Sequence, residues 1–125
     1  MKKVCFNGEY VQINDIQYMD LKRGFSFGDG AFETIKIING KPVFLKHHLK
    51  RLNSAIEKLK FCPDQHLQLN FIEPVIINLL QLNEIYEGGF IRISVFRSGQ
   101  GTYLPETNNL SYIIAVSYTH LRAHE

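Results

Sequence analysis

At 125 residues the chain suits one ordinary domain or one piece of a larger protein, and its 45% hydrophobic content provides for a single core. A formal net charge of +2 is too small to argue for nucleic acid or a membrane surface, no apolar run approaches a bilayer span, and "MKKVCFNGEY" has no apolar signal core behind its lysines. Cys5 and Cys62 make neither a metal spacing nor a disulfide framework, which leaves two reduced thiols and a cytoplasmic setting.

Residues 3–13 read as two short strands about Asn7-Gly8, a dipeptide that accepts the positive φ angles of a tight hairpin. A loop follows. From Ala31 to Ile38 the chain is rich in β-formers, then comes Asn39-Gly40 and "KPVFL", a second hairpin. Residues 45–59 change period: Leu45, Leu49, Leu52, Ala55, Ile56 and Leu59 make one apolar helical stripe. Asp64 is placed to cap a short helix over "QHLQL". Asn70 and Glu73 have capping-box spacing for a further helix to about Asn83, which puts Pro74 in its first turn. "FIRISVF" and "LSYIIAVSY" alternate as strands around the loop "RSGQGTYLPETNN". The order is α+β: an antiparallel or mixed sheet with two or three helices on one face. The tail "SYTHLRAHE" loses the apolar pattern midway, so the domain is expected over residues 1–116, with 117–125 foreign to it.

Two stretches carry candidate chemistry. In "RGFSFGDGAFETIKI", Gly28 and Gly30 flank Asp29 and let the main chain bend sharply or another group come close. Phe25, Phe27 and Phe32 are too many aromatics for a solvent loop. A structural turn sealing a hairpin explains the same residues. In "FLKHHLKRL", Arg51 lies beside the apolar stripe, where a guanidinium suits planar capture of phosphate or carboxylate. Residues 46–60 hold five basic side chains and one acid, Glu57, and a solvated helix face accounts for those charges as well. His47 and His48 point to different faces of a helix and cannot chelate one metal together.

Taken together, "RG-x-x-FGDG-x-FE-x-I-x-I-x-NGK", "HL-x-RL", "IR" and "RSG" resemble the N-terminal domain of the class IV aminotransferases, the fold-type IV pyridoxal-phosphate enzymes. That family includes branched-chain and D-amino acid aminotransferases and 4-amino-4-deoxychorismate lyase. The resemblance spans residues 3–116 and implies a role at each matching position. Arg51 would hold the phosphate of pyridoxal 5'-phosphate, Phe32 would line the substrate pocket, and Arg92 would arrange the substrate-carboxylate side. Phe27 stands where branched-chain enzymes carry tyrosine and where lyases and D-amino acid enzymes carry phenylalanine. Gln100 and Thr102 occupy a loop in which both of the latter groups place an arginine.

The family also needs a lysine for the Schiff base and a carboxylate on the pyridine nitrogen, both in a second domain. The last lysine here is Lys60. The resemblance therefore implies the small domain of a cytoplasmic homodimer, inactive alone, with the catalytic domain absent. The full enzyme would transfer an amino group between an amino acid, of branched-chain type in one reading, and a 2-oxo acid. Folate-pathway lyase activity and a non-catalytic basic α+β binding module are the alternatives.

Overall fold

A computed structural model describes residues 3–12, 30–62, 64–97 and 110–118. The first hairpin pairs β1 (Lys3–Phe6) with β2 (Glu9–Gln12), and Asn7 and Gly8 turn it with φ of 53° and 95°. Asn7 also ties this hairpin to the last strand, accepting from the Tyr112 amide on Oδ1 at 2.8 Å and donating its own amide to the Tyr112 carbonyl at 3.0 Å. The second hairpin is β3 (Gly30–Ile38) and β4 (Lys41–Pro42), turned by Asn39 and Gly40 at φ of 53° and 75°. Both Asn-Gly turns are where the sequence places them.

The second arm is much shorter than "KPVFL". Phe44 adopts φ 58°, and Leu45 is drawn into the buried stripe of α1 (Leu45–Lys58). Leu45, Leu49, Leu52 and Ile56 form that stripe, as their spacing requires. A 3₁₀ turn follows at Gln65–Leu67, with the Asp64 carboxylate accepting from the His66 amide at 2.9 Å.

The next helix departs from expectation. α2 runs Leu69–Leu82 with Gln68 at its N-cap, so Asn70 and Glu73 lie inside it and form no capping box. Gln68 ends the 3₁₀ turn and opens α2 in one step, its carbonyl accepting from the Phe71 and Ile72 amides. Pro74 consequently sits beyond the first turn, where it deprives the Asn70 carbonyl of its helical donor. Both residues lie on the exposed side, where water can take the donor's place. At the far end, the Asn83 side chain bonds both the amide and the carbonyl of Lys3, fastening α2 to β1.

β5 (Gly89–Arg97) and β6 (Leu110–Tyr118) complete one six-stranded sheet in the order β2-β1-β6-β5-β3-β4, every pair antiparallel. Ser117 and Tyr118 continue β6 by pairing with Phe90 and Gly89. Both side chains are exposed. The helices cover one face, where Ile35, Ile37, Ile91, Ile93, Tyr112, Ile114 and Val116 meet Leu49, Leu52, Ile72, Ile76 and Leu79. The fold is therefore α+β as expected, with a wholly antiparallel sheet.

Candidate functional site: a buried carboxylate beneath an exposed arginine

Alternation along β3 sets up the site. Ile35 and Ile37 point into the helix-covered core, and Glu33, two residues earlier, points the same way. It is only 9% exposed, which places a carboxylate where an aliphatic residue would continue the pattern. A buried carboxylate needs partners. α1 supplies two, because His48 and Arg51 are three residues apart and share a helix face. His48 Nδ1 donates to Glu33 Oε1 at 2.7 Å, and Arg51 Nε lies 3.5 Å from Glu33 Oε2. Among the described residues Arg51 makes no other ion pair. Its side chain is 75% exposed, so the terminal guanidinium nitrogens face solvent.

The neighbouring residue turns the other way. Phe32 stands on the face of the sheet opposite the helices, 55% exposed, beneath the Arg92 guanidinium, whose Cζ lies 3.8 Å from the ring centroid. Phe32 pairs with Ser94 and Arg92 with Thr34, so the two side chains meet on a diagonal between β3 and β5. Phe90 is also exposed on this face. Four of the residues that matter thus fall into two groups, Glu33 with Arg51 on the helix face and Phe32 with Arg92 on the opposite face. Phe32 and Glu33 are adjacent on β3, so the two groups share that strand. β4 pairs with Ile37 and Ile38 alone, so among the described residues the outer edge of β3 over residues 30–35 has no strand beside it.

Gly30 has its own steric reason. A Cβ there would lie 2.4 Å from the Val95 carbonyl oxygen, so the close approach is made by β5. Phe27, Gly28, Asp29, Gln100 and Thr102 lie outside the described residues. His47 and His48 do diverge, the first packing edge-on to Phe44 with centroids 6.1 Å apart. Lys46, Lys50, Lys58 and Lys60 are all exposed. Cys5 and Cys62 are both free thiols. Sequence reasoning gave Glu33 and His48 no role, although the misplaced acid in the β3 alternation and the three-residue His–Arg step were both legible.

Comparison with known proteins gives these features a setting. Residues 30–125 match the family described as Amino-transferase class IV. A D-alanine aminotransferase of Staphylococcus epidermidis is 32% identical over 89 residues, covering 71% of this chain and 31% of its own. An aminodeoxychorismate lyase of Bacillus subtilis is 32% identical over 87 residues, covering 68% of this chain and 28% of its own. The chain thus spans about a third of the length of the curated relatives it matches. The branched-chain aminotransferase of the archaeon Thermoproteus uzoniensis, solved with norvaline, superposes with a TM-score of 0.79 at 19% identity, over 95% of this chain and 41% of that one. At that identity the likeness speaks for the fold.

Proposed function

Since this chain belongs to the class IV aminotransferases, we propose that it is the phosphate-gripping N-terminal domain, residues 1–116, of a larger pyridoxal-phosphate enzyme. The observation that carries this reading is the Arg51 guanidinium, steadied at Nε by Glu33 and open to solvent beyond it. A phosphate monoester is a near-dianion, and a permanently charged planar fork suits it better than a lysine point charge. The donor set therefore fits the phosphate end of pyridoxal 5'-phosphate. In this reading the Schiff-base lysine would come from a second domain. When bound, the cofactor would supply the electron sink for reaction at the amino-bearing carbon.

In this reading Phe32 and Phe27 wall the substrate pocket, and Arg92 orients a substrate carboxylate. The Phe32 ring would fix the plane of the Arg92 guanidinium, leaving its edge available for a bidentate contact. The complete enzyme would exchange an amino group between an amino acid and a 2-oxo acid, working as a cytoplasmic homodimer. Exposed Phe32, Ile38 and Phe90 on the face away from the helices support a covered sheet in the full assembly.

A second reading, aminodeoxychorismate lyase, has Phe27 and the Bacillus subtilis relative in its favour. Steady-state assays of the complete enzyme with D-alanine, branched-chain amino acids and aminodeoxychorismate decide between them. Amino transfer to a 2-oxo acid is expected, and pyruvate release from aminodeoxychorismate without transfer would replace the first reading by the second. The 125-residue chain alone, mixed with pyridoxal 5'-phosphate and reduced with borohydride, is expected to show no stoichiometric adduct at one lysine.

A further inference from the structure

We propose that Glu33 is a positioning residue for phosphate capture, braced by His48 so that it holds the Nε edge of Arg51 and presents the two terminal nitrogens as a preformed fork. The inference rests on the reading of Arg51 as the phosphate grip. An exposed arginine side chain has several flexible bonds, and freezing them at the moment of binding weakens capture. Glu33 removes part of that cost in advance. Its own side chain is only 10% exposed and comes from a strand paired with β5 over residues 30–37, so it is a fixed point. His48 takes Oε1 at 2.7 Å, which leaves Oε2 directed at Arg51. The contact uses Nε, the guanidinium nitrogen least able to reach an outlying anion. The bidentate edge stays free.

A carboxylate near an anion site also repels the anion, so replacing Glu33 has two opposed effects. The repulsion acts through solvent on the exposed side of Arg51 and amounts to roughly a factor of two in affinity. Loss of pre-organisation is the larger effect, about tenfold, in line with a charge-assisted contact. The sign of the change therefore decides the matter.

The test is equilibrium binding of pyridoxal 5'-phosphate, and of pyridoxal lacking the phosphate, to the complete apoenzyme. Four proteins are compared: wild type, Glu33→Gln, Arg51→Ala and the double variant. Glu33→Gln is expected to lower affinity for the phosphate ester about tenfold, leave pyridoxal binding unchanged, and add nothing in the Arg51→Ala background. Equal losses for ester and pyridoxal would mean a merely structural role and overturn the proposal, as would unchanged or tighter ester binding. If Arg51→Ala weakens ester binding and Glu33→Gln does not, the positioning role alone fails. If Arg51→Ala itself has no effect, the phosphate reading fails with it. Should Glu33→Gln not fold, His48→Gln in the same cycle decides, with an expected loss of about threefold confined to the ester.

Discussion

Two histidines of this chain sit in polar clusters of opposite character. His66 is sealed in. Its amide bonds Asp64, its ring stacks on Phe71 with centroids 4.1 Å apart, and its Nδ1 lies 2.9 Å from the Tyr112 hydroxyl. Tyr112 is buried beside Cys5, and burial pushes both the phenol and the thiol above their ordinary values. Each member of this group is satisfied by another, and the cluster pins the 3₁₀ turn to β6. His48 shares its carboxylate with Arg51, which is exposed and has donors to spare. A histidine facing a neutral phenol closes a structure, whereas one sharing a buried acid with an arginine leaves charge on offer.

The largest expected effect lies in the sealed cluster. Tyr112→Ala should cost about 3–5 kcal/mol of unfolding free energy in urea titrations, the range for emptying a buried aromatic site. A loss under about 1 kcal/mol, the scale of an ordinary substitution, would show that the sealed cluster is not a keystone. Gly30→Ala comes next, because its Cβ would meet the Val95 carbonyl. Melting should reveal an overpacking loss of about 1–3 kcal/mol.

The pH dependence follows from the same burial. Cys5 and Tyr112 hold their protons longer in the folded chain than in the unfolded one, so their contribution is complete below the unfolded values of 9.0 and 10.0. Stability should fall as pH climbs past 9.0, and Cys5→Ala with Tyr112→Phe should flatten that fall. A profile equally steep in the double variant would assign the alkaline loss elsewhere.

The smallest effect contrasts the two histidine clusters directly. His66→Gln should cost about 1 kcal/mol of stability for its neutral hydrogen bond. Arg51→Ala should change stability by no more than about 0.5 kcal/mol, because its side chain is exposed. The reverse ranking would mean that Arg51 is a structural residue.

Periodicity made most of this fold legible in the sequence. The two Asn-Gly turns, the α1 stripe and the alternating β5 and β6 all depend on local rules that tertiary packing reinforces. Expectation failed where one local signal competed with another. Asn70 and Glu73 had the spacing of a capping box, yet the 3₁₀ turn ending at Gln68 handed the chain to α2 earlier and put Pro74 inside it. The site was half legible. Arg51 and Phe32 stood out by residue type and by resemblance, and Arg92 by resemblance alone. Their placement on opposite faces depends on β3 register and on which face α1 covers, both of which are properties of tertiary packing.

Removing one guanidinium puts the account at greatest risk. Titrating the complete apoenzyme and its Arg51→Ala variant with pyridoxal 5'-phosphate should show weaker cofactor binding by about 1.5–3 kcal/mol, the worth of a hydrogen bond to a charged group. Identical binding curves for the two proteins would remove Arg51 from the cofactor site and contradict the account.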